Sequence, residues 1–134
     1  MAFFRPRVSR EAEVRYHADQ EVGKGYAELL ERARAAEHAL HELQAQRAPI
    51  DRLREAALVL DRALTEALRG AEANARATYG VKAYDDRIAR RKARAVPAGA
   101  MWTAEVSRLR TLREQHRLTG VPRLPRPVPA VVSR

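Results

Sequence analysis

The chain has 134 residues, 26 of them Lys or Arg and 17 Asp or Glu, for a formal net charge of +9 at pH 7. It contains no cysteine, which excludes disulfides, thiolate chemistry and cysteine-ligated zinc or iron–sulfur sites. No apolar run approaches the roughly 18–20 residues of a membrane span, so we expect one compact, soluble domain in the cytoplasm.

The first half of the chain has the pattern of amphipathic helices. Ser9 is suited to cap a helix, and the glycines at 23 and 25 are expected to break or kink it. Apolar residues then recur at steps of three and four over 26–43 and again over 53–71. These two stripes predict two long helices, each with one apolar side.

Pro49 lies between the two stripes. Proline removes a backbone donor and disfavours helix at the residue before it. We therefore predict a break near 47–49 and a new helix from about Ile50, so that the two helices form an antiparallel hairpin. One long kinked helix is the alternative. The residues predicted to pack in this hairpin, or in an oligomer, are Tyr26, Leu29, Leu40, Leu43, Leu53, Leu60 and Leu64.

The apolar stripes contain many alanines and few large side chains. Each helix alone therefore buries little apolar surface, and a chain of this length gains stability from association. We expect coiled-coil-like self-association or docking within a larger assembly.

The second half is predicted to hold two shorter helices. Tyr79–Gly80 resembles a helix stop. One helix is expected from Val81 or Ala83 to Ala95, and another from Thr103, as its cap, to Leu118. Four prolines after Gly120 favour an extended tail.

The predicted fold is therefore all-α: a long helical hairpin, coiled-coil-like, followed by two shorter helices and an extended Pro-rich C-terminal tail. In residue ranges, it comprises an N-terminal arm at 1–8, a near-neutral hairpin at 9–80, a basic helical segment at 81–119 and the tail at 120–134.

The positive charge is concentrated in the last 54 residues. Residues 1–80 carry 13 basic and 13 acidic residues, whereas residues 81–134 carry 13 basic and 4 acidic ones. Guanidinium groups stay charged and pair with phosphate oxygens in a forked geometry. The predicted contacts to nucleic acid or an acidic partner are Arg87, Arg90, Arg91, Lys92, Arg94, Arg110, Arg113, Arg117, Arg123 and Arg126.

The densest basic run is expected to form one face of a helix. At 100° per residue, Arg87, Arg90, Arg91 and Arg94 fall within an arc of about 100°. Tyr84, Ile88 and Ala95 form the adjoining apolar strip. We expect this strip to pack the helix against the body of the protein.

Other candidate sites are weaker. His38 and His41 are spaced to share a helix face, but no third metal ligand accompanies them. Trp102 is expected to anchor the core rather than stack on a base. No nucleophile elbow, phosphate-binding loop or dinucleotide motif occurs, so we expect no catalysis, no metal and no cofactor.

These patterns predict a non-enzymatic helical protein. It would self-associate or dock through residues 9–80 and contact nucleic-acid phosphates, of DNA or RNA, through its basic C-terminal half, largely independent of base sequence. The alternative is a structural or adaptor component of a large assembly such as a phage virion, in which the basic half and the tails dock acidic protein surfaces.

Overall fold

The computed structural model describes residues 8–123, and all regular secondary structure in that part of the chain is helical. This confirms the all-α prediction. The elements are α1 (Arg10–Lys24), α2 (Tyr26–Ala45), α3 (Ile50–Tyr79), a 3₁₀ turn (Val81–Tyr84), α4 (Arg87–Ala95), α5 (Pro97–Gln115) and a π-helical turn (His116–Gly120).

Polar caps explain where two of the helices begin. The Ser9 hydroxyl accepts a hydrogen bond from the backbone N–H of Ala12 at 3.1 Å, as predicted for a cap of α1. The Asp86 carboxylate accepts from two backbone N–H groups in the first turn of α4, at 2.8 and 3.2 Å. The predicted break in the first helical stretch falls at Gly25, between α1 and α2.

A tight turn joins α2 to α3. The backbone N–H of Ala48 donates to the Leu43 carbonyl at 3.0 Å, and that of Arg47 donates to the Gln44 carbonyl at 3.1 Å. This is the hydrogen-bond pattern of a Schellman cap, with Arg47, at φ 52°, in the left-handed position that glycine usually occupies. Pro49 therefore turns the chain, and the single kinked helix is not formed.

Helix α3 is the central element, and α1 and α2 run antiparallel to it along one side. Arg76, near the end of α3, pairs with Asp19 of α1 at 2.9 Å. The Asn74 side chain, earlier in α3, donates to the Gly23 carbonyl, later in the chain than Asp19, at 3.0 Å. The later residue of α1 thus contacts the earlier residue of α3, as in an antiparallel pair of helices.

Helix α5 returns along a second side of α3. The hydroxyls of Tyr79 and Thr103 are hydrogen-bonded at one end. At the other end the ring nitrogen Nε2 of His116 lies 2.7 Å from the carbonyl oxygen of Ala57 and donates to it. Helices α2, α3 and α5 thus pack around one core, and residues beyond 80 contribute to it.

Two clusters of buried side chains form that core. Trp102 of α5 packs against the second cluster, with its ring edge-to-face with Tyr26 at 5.3 Å between centroids, so it is a core residue as predicted. Leu109 of α5 is 0% exposed. The first cluster is Ala33, Leu40, Ala57, Leu60 and Leu64, and the second is Ala67, Leu68, Ala71 and Leu109.

The apolar stripes of α2 and α3 therefore pack within the chain. Leu40, Leu60 and Leu64 are buried in the first cluster, Leu53 packs against it, Tyr26 and Leu29 pack against the second, and Leu43 is half-buried.

The predicted starts of the last two helices were wrong, whereas the predicted end of the first of them at Ala95 is confirmed. Residues 81–84 form a 3₁₀ turn, so α4 begins only at Arg87, after its Asp86 cap. The last helix begins at Pro97 rather than at Thr103, because proline is well accommodated in a first helical turn. Thr103 lies inside α5, where its hydroxyl donates to the Gly99 carbonyl at 2.8 Å.

Some predicted features lie outside the described residues. These are the N-terminal arm up to residue 7, the Pro-rich tail from residue 124 and, within it, Arg126.

Candidate anion-binding face

The arginines of α4 have different surroundings. Arg87 and Arg91 are exposed on the outer side of the helix, with Lys92 beside them. Arg90 and Arg94 line a cavity between α4 and the rest of the bundle. All four arginines of the predicted stripe are therefore exposed, and two of them also line a cavity.

The prediction that Ile88 and Ala95 pack α4 against the bundle was wrong. Ile88 is 67% exposed, and Ala95 is exposed as well. Ala89 and Ala93 are the half-buried residues of the helix, on the side opposite the outer arginines. Their small side chains let α4 approach the bundle closely, which an isoleucine at the contact would prevent.

Cationic and aromatic side chains from four elements meet in the cavity beside α4. We call it the tyrosine–arginine cleft. Its volume is about 250 Å³. Its lining residues are Arg15 of α1, Arg76 and Tyr79 of α3, Ala83 and Tyr84 of the 3₁₀ turn, and Arg90 and Arg94 of α4.

Neutral groups hold three of the four arginines in place. The guanidinium carbon of Arg15 lies 5.4 Å from the centre of the Tyr84 ring, and that of Arg94 lies 5.9 Å from the centre of the Tyr79 ring. Arg90 donates through Nε and Nη2 to the Ala83 carbonyl, each at 3.2 Å. These contacts orient the guanidinium groups without cancelling their charge.

The fourth arginine has a carboxylate partner. Arg76 donates two hydrogen bonds to Asp19, at 2.9 and 3.0 Å, and the Tyr84 hydroxyl donates to the same carboxylate at 2.5 Å. Burial has the largest influence on Asp19 and raises its pKa, but the hydrogen bonds from Arg76 and Tyr84 and the nearby arginine charges together hold the pKa below its ordinary 3.8. Burial, followed by the bond to Asp19, raises the pKa of Tyr84.

Asp19→Asn tests this linkage between α1, α3 and the 3₁₀ turn. We expect the variant to be about 1.5–3 kcal/mol less stable at neutral pH, because hydrogen bonds to a charged, partly buried carboxylate are lost. A carboxyl whose folded pKa is lowered stabilises the fold above its unfolded pKa and loses that contribution as pH falls through the folded pKa. The difference from the parent should therefore shrink below about pH 3.8.

Urea unfolding at a series of pH values measures both effects. Glu21→Gln is the control, since Glu21 pairs with Lys24 on the exposed surface of α1 and solvent screens such pairs. A gap between parent and Asp19→Asn that stayed constant down to acidic pH would contradict the assignment.

A second depression adjoins the tyrosine–arginine cleft. Its volume is about 350 Å³, and it shares Arg76, Tyr79 and Arg94 with the cleft. Because they share these lining residues, the two depressions lie side by side. The second depression adds Thr103, Ser107 and Arg110 of α5, together with Glu72, Ala75 and Val106.

The predicted contact residues beyond α4 do not lie together. Arg110 lines the second depression. Arg117, at the end of α5, forms an ion pair with Asp61 of α3 at 2.7 Å. Arg113 has a side chain that is 20% exposed and lies 3.5 Å from Glu114. Arg123 is exposed at the end of the described residues. The structure therefore brings Arg110 to the cleft region, whereas Arg113 and Arg117 lie toward the opposite end of α5.

Residues from the near-neutral half complete the cleft, and sequence reasoning did not assign them to it. Arg15 and Arg76 are about 60 residues apart in the chain, and Arg15 lies about 70 residues before α4. The tyrosines were interpreted as a helix stop and as part of an apolar strip. The signal that the sequence does carry is a pair of tyrosines, Tyr79 and Tyr84, a few residues before the arginines of α4.

Other classes of site receive no support from the described residues. His38 and His41 are both exposed, and His38 lies 3.9 Å from Glu42. Between residues 8 and 123, no group of three or more His, Cys, Asp or Glu is placed to hold a metal ion. In the same range, no helix combines the length and apolar character that crossing a membrane requires.

The chain matches no protein-family model, no curated protein and no solved structure. Its function is therefore inferred from the charge and geometry of the face around α4. We call this surface the basic face, and define it as Arg15, Arg87, Arg90, Arg91, Lys92, Arg94 and Arg110.

Proposed function

We propose that the protein is a non-enzymatic helical protein that binds the phosphate backbone of nucleic acids through the basic face. One observation carries the proposal. Helix α4 holds five cations in nine residues and no acid, and none of the five forms an ion pair with any residue between 8 and 123. Unpaired, exposed guanidinium groups at this density are suited to a polyanion.

The contrast with other arginines supports this interpretation. Arg32 and Arg34 of α2 pair with glutamates of the same helix, at 2.8 and 3.4 Å. Arg108 of α5 pairs with Glu105. The acids of the bundle thus neutralise cations elsewhere and leave those of α4 available to a partner.

The proposed recognition is independent of base sequence. Arginine and lysine contacts to phosphates position a protein on a nucleic acid and carry no sequence information directly. The basic face would engage the backbone of DNA or RNA, and the predicted extended tail would add Arg123 and Arg126 to the same contact.

The double variant Arg87→Ala/Arg91→Ala tests the proposal, because both side chains are exposed and neither lines the cleft. We expect about tenfold weaker binding to a duplex, and a salt dependence of log K flatter by about 1.8, from the loss of two phosphate contacts. Fluorescence anisotropy over a salt series measures both quantities.

Arg32→Ala/Arg34→Ala is the matched control, since it removes the same charge from exposed positions of α2. If both double variants weakened duplex binding equally, the effect would come from net charge alone. That result would contradict the assignment of the binding surface to α4. A parent protein that purifies free of nucleic acid, and binds neither DNA nor RNA at low salt, would favour the alternative of docking on an acidic protein surface.

Self-association or docking through residues 9–80 is the second part of the proposal. Because the apolar stripes of α2 and α3 pack inside the bundle, the surface proposed for this contact is a shallow apolar groove between these helices. Val59, in this groove, is 42% exposed. Sedimentation velocity of the protein alone tests self-association. A sedimenting mass equal to that of one chain at high protein concentration would contradict it. The groove is lined by Ala36, Ala39, Leu43, Arg52, Glu55, Ala56 and Val59.

A further inference from the structure

We propose that the tyrosine–arginine cleft is a discrete binding site for a phosphate monoester. The inference goes beyond the proposed function, because a single phosphate group on a small molecule would occupy the cleft. It therefore stands even if the outer side of α4 binds no nucleic acid.

The charge of the cleft supports an anionic ligand of high charge. Four guanidinium groups line it, and Asp19 is the carboxylate hydrogen-bonded to one of them, Arg76. Glu72 lies farther from Arg76, at 3.8 Å, and lines the second depression. A phosphate monoester carries about −1.5 to −2 charges at neutral pH, so it matches this excess better than a singly charged carboxylate does.

The way the arginines are held supports binding rather than internal pairing. Arg15 and Arg94 rest on tyrosine rings, and Arg90 is anchored by the Ala83 carbonyl. Their guanidinium groups are ordered before a ligand arrives, which lowers the entropic cost of binding. They also keep their full charge and their forked donors, whose geometry matches phosphate oxygens.

The volume of the cleft suits a single phosphate group, with the remainder of the ligand bound beside the cleft. The cleft, at about 250 Å³, is below the roughly 300–1,000 Å³ of pockets for drug-sized molecules. The adjoining depression offers the hydroxyls of Thr103 and Ser107 and the guanidinium of Arg110. A phosphate in the cleft can therefore be attached to a polar group, such as a sugar, in the second depression.

Calorimetric titration of the full chain with inorganic phosphate tests the inference, with sodium chloride holding the ionic strength constant. We expect saturable binding to the parent protein and about tenfold or weaker binding to Arg15→Ala/Arg94→Ala, since two charge-assisted contacts are lost. Arg87→Ala/Arg91→Ala removes the same charge from the outer side of α4 and should weaken binding much less, because neither side chain lines the cleft.

The absence of saturable binding by the parent, or equal weakening of the two double variants, would overturn the inference. Circular dichroism checks that the variants fold. If Arg15→Ala/Arg94→Ala does not fold, Arg15→Lys/Arg94→Lys takes its place, since lysine retains the charge and loses the fork. Binding equal to that of the parent by this lysine variant would equally overturn the inference.

Two further titrations distinguish the source of the phosphate. Ribose 5-phosphate represents a small metabolite, and a single-stranded oligonucleotide with or without a 5′-phosphate represents a strand end. Tighter binding of either phosphorylated ligand than of its unphosphorylated counterpart supports the site and identifies its source. Equal binding of phosphorylated and unphosphorylated forms in both pairs would overturn it, while leaving backbone binding by α4 intact.

Discussion

Leu109→Ala is expected to destabilise the protein by about 2–5 kcal/mol, the range for removing a fully buried leucine. Leu109 is 0% exposed and lies in the second core cluster, against Ala67, Leu68 and Ala71 of α3. The truncated side chain leaves a cavity that the surrounding residues fill only in part. A loss of this size is a large fraction of the stability of a small domain.

Urea unfolding followed by circular dichroism measures the effect. Leu118→Ala is the control, because Leu118 is 72% exposed and a surface substitution usually changes stability by less than about 0.5 kcal/mol. A similar small change at both leucines would mean that α5 is not packed on α3, and the bundle described above would be wrong.

Gly99→Ala is the second substitution with a large expected effect. A methyl group at Gly99 would overlap the carbonyl oxygen of Ala93 and lie 3.4 Å from the Cα of Arg94. Both neighbours are backbone atoms, so the end of α4 must shift away from α5. Overpacking of this kind typically costs about 1–3 kcal/mol and occasionally more.

The shift should also affect the cleft, since Arg94 lies at the displaced end of α4. We therefore expect Gly99→Ala to lower the thermal midpoint and to weaken phosphate binding. Gly25→Ala is the control, because its added methyl meets only the Val22 carbonyl at an ordinary 3.7 Å. A Gly99→Ala protein as stable as the parent would contradict the close approach of the two helices.

Much of the fold could be predicted from local signals. The three-and-four spacing marked the long helices, and Ser9, Gly25 and Pro49 marked where they begin, break or turn. These signals are local because capping, backbone freedom and the missing proline donor act within a turn of helix. The packing of α5 against α3 could not be predicted in this way, because a periodic stripe shows that a helix has a buried side but not which distant segment covers it.

Two local signals were ambiguous in themselves. Proline both ends a helix and favours the first turn of the next, and at Pro97 the second role prevailed. The prediction for Ile88 assumed that the largest apolar residue of α4 faces the bundle. The structure instead places Ala89 and Ala93 there, since close helix approach depends on small side chains more than on hydrophobic ones.

The candidate site was predictable in part. The count of charged residues located α4 and its arginines, because the excess of positive charge was confined to one region of the chain. It could not show that Arg90 and Arg94 line a cleft, or that Arg15 and Arg76 meet them there. That convergence requires α1, α3 and α4 to meet at one end of the bundle, which is a property of the tertiary fold.

The salt dependence of nucleic-acid binding by the parent protein tests the central claim most directly. If the basic face neutralises six or more phosphates of a duplex, log K should fall with log salt concentration with a slope of about −5 or steeper. Anisotropy titrations of one duplex at several salt concentrations give this slope, and a second duplex of unrelated sequence should give the same affinity. A slope near zero, or no binding at low salt, would contradict the account.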